Sequence, residues 1–511
     1  MLKQLQTLQS SKATGLDNIN SRLLKDAAAV VAQPLTDIMN QSLRTGIIPV
    51  SWKKARVTPI YKDSNPLSPS NYRPISILPV VMKVFERAVQ QQLVKFLKEN
   101  SIFCDQQSGF RECHSTHTAT TDVSDYILQN MDRGLLTGAV YLDLKKAFDT
   151  VDFQTLLFKL RCLGITDVEY TWFENYLYDR RQCVSHNSSR SDELGVSCGV
   201  PQGSILGPIL FVIFVNDFPS AIQYSKVVLY ADDTVLMFAS TSIQEIQDCL
   251  SSDLQFASGW FRQNKLHLNV SKCKWTLFGT EKRLKTCEVP DIKIDSNSLE
   301  HVSTYKYLGL YFDKNLNWQV QVESMCNKLK QRLGVLRRVR CYLDQNTTLL
   351  LFNALVQPVA DYCDTVYGSC SKTLLNKIQR LLCKGGRIIL NAPLDTPSRT
   401  VLHELKWLSL NERIFFHRCI LVYKSLHGQC PSYVANKFQH LTHGYNTRNS
   451  QNLELLKCRT NLGQKTLTYT GAKEWNSLPQ NVKTSSSLAI FKSNLLKCIL
   501  SRRSSQYFIP F

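Results

Sequence analysis

The run VVLYADDTVLMF, residues 227–238, joins two apolar segments through adjacent aspartates, Asp232 and Asp233. Its flanks are rich in β-branched and aromatic residues, and aspartate tolerates turn geometry, so the run predicts a β-hairpin with the two aspartates at its tip. A hairpin explains the turn but not two like charges side by side. Such carboxylates repel unless a cation lies between them. A third carboxylate ends the buried-strand pattern GAVYLD, residues 138–143, at Asp143. If the two strands are neighbours, Asp143, Asp232 and Asp233 converge as a set of hard oxygen donors suited to Mg²⁺. Two divalent cations bridging an attacking and a leaving oxygen are a common solution to phosphoryl transfer. Asp149 and Asp152 follow in a segment with a helical pattern and are read as helix-surface or polar-contact residues.

Charge and cysteine usage narrow the classes open to such a chain. Lys and Arg number 61 against 41 Asp and Glu, a formal net charge of +20 that favours a polyanionic partner. The 17 cysteines are scattered and contain no Cys-x-x-Cys pair, so neither a zinc module nor a disulfide framework is expected. The N-terminal MLKQLQTLQSSKATG has no apolar core of a secretory signal, and ILGPILFVIFV at 205–215 is too short to span a bilayer. An intracellular protein of the nucleus or cytoplasm is expected, with free thiols and no membrane partner. The Asn-x-Ser/Thr sequences at Asn187, Asn269 and Asn346 are then chance matches.

Along the chain, residues 1–50 predict an N-terminal helical extension that stops at Gly46 and Pro49. ARVTPIYK predicts a strand, followed by a Pro/Ser/Asn-rich loop and an amphipathic helix over Val80–Leu97. GAVYLD runs straight into the helical pattern LKKAFDTVDFQTLLFKLRCLG. Beyond a polar loop at 185–195, GVPQGSILGPILFVIFVNDF predicts a tight turn and a buried helix. The hairpin comes next, then a helix over Ile243–Asn264, a strand in KCKWTLFG, and a further strand in YKYLGLYFD at 305–313. This order implies an α+β fold, an antiparallel sheet with helices on one face. Residues 318–340 predict an amphipathic helix, with Leu329, Leu333 and Leu336 on one side and Lys328, Lys330, Arg332, Arg337 and Arg338 around it. The remainder, 391–511, alternates helical pieces with polar joints.

Taken in order, YLDLKKAFDTVD, GVPQGSILGPILF and YADDT resemble the palm motifs of reverse transcriptases, in the forms of non-LTR (LINE-type), jockey-like retrotransposons. ATGLDNI, IPVSWKKARVTPIYK, NYRPISILPVVMKVFER and QQSGFRECHSTHTA resemble blocks on the fingers side of that family. LNVSKCKWTLFG, YKYLGLYFD, EWNSLP and LAIFKSNL are similar to its later blocks. The resemblance implies a right-hand polymerase: fingers and palm over 51–313, a basic helical thumb over 314–390, and a C-terminal helical region. It also implies RNA-directed DNA synthesis, with an RNA template, a DNA primer and dNTPs as partners, and two Mg²⁺ ions or Mn²⁺ in their place. Relatives usually carry an endonuclease upstream. None stands between Met1 and the first polymerase block, so a fragment or a truncated copy is expected, with any endonuclease supplied separately.

Residue by residue, the resemblance gives Asp143 and Asp232 as direct metal ligands and Asp233 as the third acidic position. Phe148 matches the steric gate that crowds a ribose 2′-hydroxyl. Gln202 matches the residue packed beneath the incoming nucleotide and template base. Arg73 and Arg111 match arginines whose forked guanidinium suits triphosphate oxygens. Lys272 matches a lysine near the departing pyrophosphate, with Lys274 close enough to leave that assignment open. Tyr307, Leu308 and Gly309 match the primer grip, where backbone does the positioning.

Overall fold

The structure is a computed structural model of the 511-residue chain and describes residues 1–62, 65–187, 189–441 and 451–506, with the side chains of 503–506 left aside. Part of the Pro/Ser/Asn-rich loop, at 63 and 64, therefore lies outside the described residues.

Two sheets organise the first 313 residues. The outer one joins β1 (Lys54–Tyr61), β2 (Tyr72–Ile77), β4 (Arg180–His186), β5 (Ser189–Arg190) and β6 (Leu194–Val196). Its order is β2-β1-β4-β5 with β6 also on β4, and β1 runs parallel to β4. The expected polar loop at 185–195 thus contains two short strands that fold back on β4.

The central sheet carries β3 (Leu136–Leu142) between β8 (Asp233–Ser240) and β9 (Lys274–Phe278), with β7 (Lys226–Tyr230) beyond β8 and Glu300–His301 beyond β9. Its pairings are antiparallel except for the last. β3 is buried along its whole length. Its even-numbered Leu136, Val140 and Leu142 pack into one core with Leu210, Phe214 and Leu250. Its odd-numbered Ala139 and Tyr141 pack into a second core with Val123, Ile127 and Phe312. Helices therefore cover both faces, and the expectation of one covered face is corrected. An uninterrupted apolar strand is what burial on both sides requires.

The hairpin, the helices Val80–Glu99 and Ile243–Gln263, and the buried helix Gly207–Phe214 form close to where their patterns place them. The N-terminal extension breaks into Leu2–Gln6, Ser21–Asp26 and Ala28–Thr45, the last closed by Gly46 at φ 70°. The segment after Asp143 departs further. Leu144 pairs with Leu268, Lys146 takes φ 49°, and a 3₁₀ turn at Ala147–Asp149 follows. The helix begins only at Phe153, capped by the Asp152 side chain, so neither Asp149 nor Asp152 lies inside it.

YKYLGLYFD is also not one strand. Thr304–Tyr307 and Leu310–Asp313 pair with each other around a turn at Leu308 (φ 44°) and Gly309 (φ 84°). Positive φ at both central residues suits a tight hairpin, and glycine accepts it without steric cost.

Beyond Asp313 the described residues are mostly helical. Gln319–Val339 buries Leu329, Leu333 and Leu336 and exposes Lys328, Lys330, Arg332, Arg337 and Arg338. A third core, around Tyr423, Trp475 and Phe491, organises the C-terminal helices.

Candidate active site

The acidic residues meet at one end of the central sheet. Leu142 pairs with Thr234, and continuing that register sets Asp143 opposite Asp233, with Asp232 on the turn between β7 and β8. Residues opposite each other in an antiparallel ladder lie about 5 Å apart at Cα. Tyr230 pairs with Asp233, so Ala231 (φ 56°) and Asp232 are the two turn residues and Asp233 opens β8.

The electrostatics record this crowding. Withdrawal from water, then the Asp232 and Asp143 carboxylates, push Asp233 up to about 6. Asp232 is raised by the same burial and by Asp143, and is opposed by Arg73 and Lys62. The cluster is short of positive charge, and its donors are hard carboxylate oxygens. Both properties fit a divalent cation, which Asp143, Asp232 and Asp233 would hold.

Two uncharged residues set the acids in place. The Asn269 side-chain amide donates to Asp143 Oδ2 at 2.9 Å, while its backbone N–H donates to the Asp143 carbonyl at 2.8 Å. Gln107 is fully buried, and its Oε1 accepts from Ala231 N at 2.9 Å and Gly109 N at 2.7 Å. The flanking backbone pairs with β7: Leu229 donates to Gln106 at 2.9 Å and Ser108 donates to Leu229 at 2.8 Å. The approach is so close that a Cβ on Gly109 would lie 2.2 Å from Ala231 N.

Of the nucleotide-side residues, Arg73 pairs opposite Ile60 on the β1–β2 hairpin and lies within electrostatic reach of Asp232. Gln202 donates to Asp149 Oδ1 at 2.8 Å, and its carbonyl accepts from Ser76 N at 2.7 Å, so the PQG turn joins β2 to the turn after Asp143. Phe148 is half-buried, stacked on Phe211 at 4.5 Å and edge-on to Phe110 at 6.0 Å. Lys272 is exposed in the loop whose Asn269 holds Asp143. Lys274 is paired with Glu300.

Arg111 is not brought to the carboxylates. Its guanidinium donates to the carbonyls of Cys104 (2.6 Å) and Gln107 (2.9 Å), above the Phe103 ring, and so anchors the loop carrying Gln107. Tyr307 is buried, and the Leu308 carbonyl accepts from the Tyr362 hydroxyl at 2.6 Å, which fixes the Leu308–Gly309 turn. Between that turn and the next helix runs a groove lined by Lys306, Gln321, Lys328 and Arg332.

Sequence reasoning missed Asn269, Gln107 and Lys62. Asn269 stood in view as a chance Asn-x-Ser match in a block from which only Lys272 and Lys274 were singled out, and Gln107 in one from which only Arg111 was. The cluster that does gather a histidine with two acids, Asp361, Asp364 and His417, lies away from this sheet and is internally paired, Asp361 with Arg413 and Asp364 with His417.

The carboxylates thus stand together at one end of the central sheet of a mixed α+β fold. Residues 60–312 match the family described as reverse transcriptase (RNA-dependent DNA polymerase), and the chain carries a reverse transcriptase domain of that family. It is 30% identical over 431 residues to the probable RNA-directed DNA polymerase from transposon BS of Drosophila melanogaster, covering 82% of this chain and 47% of that protein. It is likewise 30% identical over 421 residues to the RNA-directed DNA polymerase from mobile element jockey of Drosophila funebris, covering 80% and 45%. A Pol polyprotein of the type-1 element R1 from Bradysia coprophila matches at 24% over 411 residues, 78% of this chain and 40% of the other. The chain thus spans about half the length of these relatives.

Proposed function

We propose that this chain is an RNA-directed DNA polymerase of a non-LTR retrotransposon, adding dNTPs to a primer 3′ end on an RNA template. The observation that carries the reading is the register placing Asp143 opposite Asp233 beside the Asp232 turn. Two Mg²⁺ ions, or Mn²⁺, held by these carboxylates would supply activation of the primer hydroxyl and neutralisation of charge on the phosphates.

The chain's own residues do the rest. Asn269 occupies one oxygen of Asp143 and so orients the carboxylate. Lys62 and Arg73 oppose the acidic cluster from the β1–β2 hairpin, on the side where a triphosphate would need cations. Phe148, braced by Phe211, offers a rigid ring edge against a ribose 2′-hydroxyl. Lys272 would stand near the pyrophosphate, Gln202 beneath the nascent pair, and the Leu308–Gly309 turn against the primer. The exposed cations of Gln319–Val339 would follow the duplex phosphates.

The test is primer extension on an RNA template by the purified chain, beside Asp232→Asn. Asp232→Asn should extend about 100- to 1,000-fold more slowly than wild type, on the order expected when a main electrostatic contributor is removed. Extension unaffected by the substitution would overturn the mechanism. No extension by either protein would favour a nucleic-acid-binding relic.

A further inference from the structure

Residues 431–438 lie outside every motif named above, yet they reach the catalytic hairpin by two polar routes. The first starts at Tyr433, in the short helix Ser432–Ala435. Its hydroxyl donates to Thr118 Oγ1 at 3.1 Å and lies 2.7 Å from Ser108 Oγ, which is then the donor of that pair. Ser108 is buried, and its backbone N–H is the one bound to the Leu229 carbonyl of β7. Its neighbour Gln107 holds Ala231.

The second route starts at Lys437, whose ammonium lies 3.2 Å from Asp122 Oδ1 and 3.6 Å from Asp125 Oδ2. The other oxygen of Asp122 takes the Lys226 ammonium at 2.7 Å, and Lys226 is the first residue of β7. Asp125 also accepts from Leu467 N at 2.7 Å, and Asp132 on the same helix accepts from Arg459 N and Thr460 N at 2.9 and 2.6 Å.

Both routes end on the strand that leads into Asp232 and Asp233. That turn carries mutually repelling carboxylates, so its position depends on what holds it from behind. Asp122, Asp125 and Asp132 are buried, and charges so placed persist only when paired and hydrogen-bonded. The C-terminal region supplies many of those partners. We propose that residues 431–438 brace the metal-binding turn, with Tyr433 and Lys437 as positioning residues for Asp232 and Asp233. The proposal rests on the polymerase reading of that turn.

The experiment uses the full chain and compares wild type with Tyr433→Phe and Ser108→Ala, both of which keep packing and delete a hydroxyl. Hydrogen exchange of peptides spanning 226–234 reads the turn directly, without activity. Ser108→Ala should exchange there about five-fold faster, the factor that one lost hydrogen bond carries, and Tyr433→Phe, which also loses the bond to Thr118, at least as fast, at an unchanged thermal midpoint. Primer extension should lose kcat several-fold with KM for dNTP unchanged, and the double variant should be no worse than Tyr433→Phe alone. Exchange at 226–234 equal to wild type in both variants overturns the brace, as does full additivity of the two losses. Failure of the polymerase reading is separately visible, because the wild-type chain would then extend no primer while the exchange result still stands.

Discussion

At the scale of single residues, the site depends on an amide as much as on its acids. Asn269 spends its side chain on Asp143, and groups that orient a metal-binding carboxylate typically matter 10- to 100-fold. Asn269→Ala should therefore lower single-turnover primer extension about 10- to 100-fold with little change in thermal midpoint. Asn269→Asp should do worse, because it adds a carboxylate to an already repulsive cluster. Equal rates for wild type and Asn269→Ala would show that Asp143 needs no such partner. Phe148→Val is expected to admit ribonucleotides more readily, measured as the ratio of dNTP to rNTP incorporation; an unchanged ratio would remove the gate assignment. The acids were legible in the sequence because a doubled charge between buried strands has few explanations. Asn269 and Gln107 were not, since a neutral amide shows its purpose only through its partner. The role of Arg111 in holding its own loop was hidden for a related reason: its partners are backbone carbonyls, which no side-chain pattern discloses.

Among the elements, the hairpin at Asp232 and Asp233 was read, while two others were not: Tyr72–Ile77, read as part of the Pro/Ser/Asn-rich loop, pairs with β1, and YKYLGLYFD reverses on itself. Asp232 and Asp233 announced the turn between β7 and β8. In YKYLGLYFD only Gly309 marks the reversal, because leucine in the left-handed region is uncommon and Leu308 gives no warning. The start of the helix at Phe153 was misplaced because apolar periodicity continues through a stretch where Leu144 is still paired with Leu268. Tertiary pairing overrode helical pattern there. The contact between the QQSGF loop and the hairpin is the tightest of these arrangements, and glycine at 109 is its condition. Gly109→Ala should push Ala231 away, costing about 1–3 kcal/mol as overpacking does, and should abolish most primer extension. Urea unfolding and extension rate together check this. A variant with wild-type stability and rate would mean that the loop adapts without moving the turn.

Over the whole molecule, the palm and the C-terminal helices share one polar seam along Thr116–Asp132, and that seam is hidden from sequence because its partners lie hundreds of positions apart. Helical pieces and polar joints were visible in 391–511, but not the surface they would cover. The seam has a titratable member in His117, near the start of that helix. Its Nε2 pairs with Thr365 Oγ1, while His417 and Lys424 face it from Leu410–Leu426 and Asp364 is engaged with His417. Burial first, then those two basic groups, lowers His117 to about 4. A histidine depressed in the folded state stabilises fully above its unfolded pKa of about 6.5, and loses that contribution as pH falls toward about 4. Linkage puts the loss near 2 kcal/mol between pH 7.5 and 5. His117→Gln retains a hydrogen-bonding side chain but cannot take up the proton, so its stability should fall by about 2 kcal/mol less than wild type over the same interval. Urea unfolding of both chains at the two pH values measures the difference. If both lose the same stability, the acid sensitivity of the seam lies outside His117.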